Sequence, residues 1–166
     1  TINLDPQTQI DYIVLEKDNE YRIENGLLKL EWCDKTYLAS KHHTEYMVKV
    51  GEVLHREKNN TPKPSDRLLL YNVDFNISGE NCTSVLLDED YFLSVNEIAN
   101  EIVQNWKDSP SHNSIMLDND FNSGAVSCGP GSLKVYGNSY EWMLSTLNVL
   151  MMVSPGRLLR RGLDLS

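Results

Sequence analysis

The chain has 166 residues, 40% of them hydrophobic, enough to bury one core of ordinary dimensions. Lys and Arg number 15 against 24 Asp and Glu, and a formal charge of −9 argues against nucleic acid or an anionic lipid surface recognised by bulk charge. No apolar run approaches the roughly 20 residues of a bilayer helix, so no transmembrane segment is expected.

In chain order, the spacing of Ile10, Ile13, Val14, Leu15 and Tyr21 predicts a helix over 8–24, capped by Gly26. An apolar connector, LLKLEWC, leads to a second helix with Asp34 as N-cap and Leu38, His42 or His43, Tyr46, Met47 and Val50 along one stripe, ending near His55. The polar, proline-bearing REKNNTPKPSDR reads as an exposed loop. Val95, Ile98, Ala99, Ile102 and Trp106 mark a third helix that stops before Pro110, and Ser109 and Pro110 then open a short new helix with His112 in its first turn.

The last third changes period. GAVSC, SLKVYG and YEWMLSTLNVLMMV are short, rich in β-formers and separated by the turn signals GPG and GNS, so they read as antiparallel strands. Helices first and strands last predict an α+β layered domain. Ser154, Pro155 and Gly156 stop the strand pattern, which sets a single domain at 1–153 and a C-terminal extension at 154–166 carrying Arg157, Arg160 and Arg161. Cys33, Cys82 and Cys128 are too few and too scattered for a zinc ribbon or a CxxC motif, leaving three buried thiols or one pair and one thiol.

Five pieces in register resemble the CAP superfamily of cysteine-rich secretory, antigen five and pathogenesis-related proteins, and its bacterial branch in particular. They are NEYRIENGLLKLEW, LASKHHTEYM, SGEN, WKDSPSHNSIML and DFNSGAVSC. The resemblance implies an α-β-α three-layer sandwich with a central antiparallel sheet, in a secreted or cell-surface protein. It also implies a central cleft with two histidines and acidic residues, sometimes around a divalent metal. By position, His55 and His112 match the two histidines and Glu80 matches the glutamate of Gly-Glu-Asn. A second glutamate found in the animal and plant branches is replaced by Ser109, and Ser111 stands where glycine is usual.

The expected site is therefore a cleft of His55, Glu80 and His112, with Glu80 hydrogen-bonded to one histidine and fixing its tautomer. At a helix N-terminus the dipole favours neutral imidazole for His112, while a nearby Glu80 pulls the other way. A divalent metal such as zinc would take His55 and His112 with water completing its shell, the open geometry of catalytic sites. The family resemblance also places one disulfide, if there is one, between Cys82 and Cys128, with Cys33 buried.

Two neighbouring features read as structural. His42 and His43 point about 100° apart on a helix, so one should face the core and the other solvent, and Glu45, Glu52 and Glu57 read as a solvated face. Ser78, Ser109 and Ser111 are turn and cap residues rather than nucleophiles. The sequence thus predicts a CAP-type binding module without turnover, for a small apolar ligand in a pocket lined by RLLLYNVDFNI and the helix faces, or for a protein partner. The alternative is a metal-dependent hydrolase using Glu80 as base on a metal-bound water.

Overall fold

A computed structural model describes residues 6–87 and 93–152; the predicted C-terminal extension and its arginines lie outside the described residues. Helix α1 (Pro6–Glu24) leads to a two-residue strand β1 (Glu31–Trp32), helix α2 (Asp34–Val50), helix α3 (Pro64–Leu70) and strand β2 (Phe75–Leu86). Helices α4 (Val95–Asp108) and α5 (Pro110–Met116) follow, then strands β3 (Ser123–Val135) and β4 (Asn138–Met152). The sheet order is β1-β3-β4-β2, parallel between β1 and β3 and antiparallel elsewhere, so β2 is an edge strand.

The helices form the outer layers. On one face α1 and α4 pack Ile10, Val14, Leu15, Ile102, Val103 and Trp106 against Val126, Leu147 and Val149. On the other, α2 and α3 cover Leu144 and Leu150 with Ala39, Met47 and Leu68. This is the predicted α-β-α sandwich.

Two polar residues of α1 lock its position, which explains the Asn-x-x-Arg spacing. Asn19 exchanges two hydrogen bonds with the backbone of Leu30 just before β1. Arg22, fully buried, donates to the carbonyls of Leu28, Met116, Asp118 and Phe121, and so fastens the segment after α5 to α1.

The structure revises four expectations. Helix α2 ends at Val50, where Gly51 takes a left-handed φ of 68° and donates its N–H to Met47, so His55 sits in the following loop. Its buried face matches the predicted stripe only in part: His43 and Met47 are buried, but Leu38 and Val50 are exposed while Thr36, Ser40 and Thr44 face the sheet. Ser40 and Thr44 donate to the carbonyls of Ala125 and Ser127, so small hydroxyl residues let the helix approach strand backbone closely.

The expected loop ends early, at Lys63, where α3 begins with Pro64 at its first position and Asp66 accepting from the Lys63 N–H. Strand β3 runs through Gly129-Pro130-Gly131 without a turn, because β1 pairs only with Ser123 and Gly124 and leaves that side of β3 open, where a proline costs no ladder bond.

Candidate functional site

Strand alternation explains the Gly-Glu-Asn triplet. Gly79 and Asn81 lie opposite Val149 and Leu147, whose side chains belong to the α1/α4 core, while Glu80 lies opposite Asn148, which donates to Ser40 of α2. Glu80 therefore points to the α2 side and its neighbours to the α5 side. A Cβ on Gly79 would come within 3.2 Å of Ile115 and Phe121, so glycine makes the room that α5 occupies. Asn81, buried, donates from Nδ2 to the His112 carbonyl at 3.0 Å and ties the first turn of α5 to β2.

On the α2 side Glu80 is the centre of a buried polar cluster. Its Oε1 receives His55 Nδ1 at 3.0 Å, and Arg67 of α3 donates from Nη2 to both oxygens, at 3.0 and 2.8 Å. Arg67 also reaches the His55 carbonyl and lies 3.6 Å from Glu57 Oε1. Glu57 in turn accepts from His43 Nδ1 at 2.7 Å, His42 Nε2 at 3.2 Å and Asn59 Nδ2 at 2.6 Å. His42 closes the chain on the Tyr71 hydroxyl.

The charges set the site's protonation. Burial pushes the Glu80 carboxyl up, but the His55 bond and the charges of His43 and Arg67 outweigh it and hold the group below its ordinary value. The Glu80 bond raises His55, against a smaller effect of burial. Burial and the charge of His55 lower His112, so its neutral form is favoured, as the helix dipole suggested, but for a different reason. Burial, then Glu80, raise the Cys82 thiol well above its usual range.

His55, with its side chain 52% exposed, and the half-buried His112 thus border the β2 edge from its two sides. Glu80 bonds His55 and not His112, which is held through its backbone by Asn81.

The donor atoms that gather closely are those of His43, Glu80 and Cys82, all buried and within 4.8 Å of one another, rather than the predicted pair His55 and His112. The types suit zinc or a similar ion, but the surroundings do not fit one. The Leu54 carbonyl can only accept, so His43 Nε2 carries a hydrogen towards it and has no lone pair to offer. Cys82 is a protonated thiol leaning on Glu80. The guanidinium of Arg67 already holds Glu80, and a divalent ion about 4 Å from it would be repelled by about 8 kcal/mol at an effective dielectric of ~20.

Other expectations resolve clearly. No disulfide joins the three cysteines: Cys82 lies opposite Thr146 and Cys128 opposite Ser145, adjacent β4 residues on opposite faces, so the expected Cys82–Cys128 pairing cannot form, and Cys33 is half-buried. Glu57 is not on a solvated face but at the heart of the cluster, although Glu45 and Glu52 are exposed. His43 faces the core and His42 stays partly exposed, both tied to Glu57. Of RLLLYNVDFNI, Leu68 and Val73 pack in the core while Leu69, Leu70 and Ile77 are exposed.

A family model for CAP, the cysteine-rich secretory protein family, matches residues 15–146. The chain belongs to the CAP family. Over 115 residues this CAP domain is 29% identical to a Bacillus subtilis protein named "Uncharacterized membrane protein YlbC", covering 69% of the chain and 30% of that protein.

Among solved structures it resembles an extracellular protein containing a SCP domain from Bacillus anthracis, with TM-score 0.63, 21% identity, and coverage of 87% of this chain and 41% of the other. It also resembles an outer surface protein of Borrelia burgdorferi, with TM-score 0.63, 20% identity, and coverage of 89% and 96%. The chain thus spans less than half the length of the two Bacillus proteins. No helix among the described residues is long and apolar enough to cross a membrane.

Sequence reading of this CAP domain missed Arg67, Glu57 and the buried role of His43. One signal was present for Arg67, a lone cation opening the apolar run RLLLY that a core helix would have to neutralise. Nothing local marks Glu57, whose histidine partners lie 14 and 15 residues before it.

Proposed function

We propose that this CAP domain is a binding module acting at or outside the cell surface, with the β2 edge as its recognition surface and His55 and His112 facing the ligand, and that no bond is made or broken there. The observation that carries this reading is the state of Glu80. A hydrolase would need that carboxylate as a base beside a metal-bound water. Here it is 2% exposed, ionised, and engaged by Arg67 and His55 together, so its role is to orient and charge His55.

His55 then offers a protonatable donor and His112 a neutral imidazole, a pair suited to an acceptor-bearing partner. The extracellular and surface origins in the names of its structural relatives support the location. A small apolar ligand is a second reading, favoured by the exposed Leu69, Leu70 and Ile77 on α3 and on the strand it packs against.

Sedimentation of the purified chain with envelopes of the source organism tests the main reading. The wild-type chain should pellet, and the His55→Ala/His112→Ala chain should remain in solution. Hydrolysis of an ester, phosphoester or peptide substrate that disappears in Glu80→Gln would overturn it in favour of the enzyme.

A further inference from the structure

We propose that Arg67 is a resident cation that determines what the buried cluster admits: its guanidinium fills the electrostatic place of a divalent metal, and replacing it with an uncharged side chain of similar reach turns the cluster into a transition-metal site. This goes beyond the reading of the β2 edge as a binding surface and does not depend on it.

Three observations converge. First, His43, Glu80 and Cys82 bring one nitrogen, one oxygen and one sulfur within 4.8 Å of one another, a mixed donor set of the kind zinc and cobalt prefer, and His55 Nδ1 lies 3.0 Å from the same carboxylate and 3.7 Å from the same sulfur. Second, two carboxylates, Glu57 and Glu80, are buried in one cluster, an arrangement that requires a cation. Third, Arg67 supplies that cation from inside the fold. Its side chain is 1% exposed, its Nη2 binds both Glu80 oxygens and the His55 carbonyl, and its Nη1 reaches Glu57 and the carbonyls of Thr61 and Pro62.

The consequence is structural as well as electrostatic. The contacts from Arg67 to residues 55, 61 and 62 assemble the loop that carries His55 from a position on α3, so that loop is built without a metal. Displacing the guanidinium would strand several backbone carbonyls as well as two carboxylates, and a dissolved ion offers no such exchange. Without Arg67 the repulsion on an incoming divalent ion is gone; the ion displaces the hydrogen of His43 Nε2, whose Nδ1 stays on Glu57, and the proton of Cys82, takes over the charge-balancing role at Glu80 and ties the loop.

Cobalt(II) is the probe, because thiolate ligation gives it a near-ultraviolet charge-transfer band. Wild-type chain titrated with cobalt should show no such band and no change in unfolding temperature. Arg67→Met should show the band, bind at least about tenfold more tightly than wild type, and regain unfolding temperature when cobalt is added. The band should vanish in Arg67→Met/Cys82→Ser. A wild-type chain that gives the thiolate band with the same affinity overturns the proposal. So does an Arg67→Met chain that ignores cobalt, whether it folds alone or stays unfolded with the ion present. Envelope sedimentation of the wild-type chain is unaffected by either result, so the two readings fail separately.

Discussion

A single nitrogen of Arg67, Nη2, holds both oxygens of Glu80 at 3.0 and 2.8 Å in a pair almost sealed from water. Breaking a buried pair from one side leaves an uncompensated charge, which typically costs about 3 to 5 kcal/mol. Arg67→Met without added metal should lose that much in urea unfolding. Adding Glu80→Gln should recover part of the loss, because the stranded charge is gone. Strict additivity of the two substitutions would show that the residues are not coupled.

The two exposed-side histidines should titrate on opposite sides of the ordinary imidazole value of 6.5, His55 above it and His112 below it. Because His55 is raised in the folded state, its bond to Glu80 stabilises the fold fully below about pH 6.5 and ceases to do so as pH rises through the folded value. Histidine NMR titration reads both groups. Glu80→Gln should bring His55 down, and titration of both rings at one common value would contradict the geometry.

Asp18 of α1 is fully buried with neither carboxylate oxygen hydrogen-bonded, and burial raises it from 3.8 to about 7 against the opposing charges of Arg22 and Lys107. The unfolded chain ionises this group at lower pH than the folded chain, so stability should fall from about pH 4 to pH 7 and then level off. Asp18→Asn should therefore be near neutral at pH 4 and stabilising at pH 8, by at most about 4 kcal/mol. Part of the slope should survive, because Asp11, also buried and raised to about 7, contributes with the same sign. Denaturant unfolding at the two pH values is the measurement.

Two glycines should respond differently to alanine. At Gly124 the new methyl would lie 2.9 Å from the Asn148 backbone oxygen, which has nowhere to go, so Gly124→Ala should cost about 1 to 3 kcal/mol. At Gly79 the obstacles are the side chains of Ile115, Phe121 and Val149 at 3.2 to 3.3 Å, and α5 can yield. Gly79→Ala should shift the His112 resonances more than it lowers the unfolding temperature; the reverse order would mean that α5 is rigidly placed.

Much of the layer order was legible because long amphipathic segments carry their own period: α1, α4 and the Ser109-Pro110 junction fall within two residues of where spacing puts them. Helix α2 was found, and Met47 of its predicted stripe is buried, but the rest of the face that touches the sheet is Ser and Thr making hydrogen bonds, which apolar spacing does not show. Strand β2 lacks clear alternation because both of its faces do work in the site. The resemblance singled out His55, Glu80 and His112, of which Glu80 bonds His55 alone. The partners of Glu80 could not be read, because a buried arginine and a buried glutamate look like surface residues until the fold brings them together.

The split of Gly79-Glu80-Asn81 across two faces of one strand has a consequence for descent. Residues 79 and 81 seat a helix; residue 80 sets the chemistry, and the sheet itself insulates one duty from the other. Lineages can therefore exchange the occupant of the polar pocket, a guanidinium here, by changes on the α2 and α3 side while the helix that bears His112 keeps its seat. Such a scaffold lets specificity change by substitution at few positions, provided that the loss of Arg67 is accompanied by a neutral partner for Glu80 or by another cation.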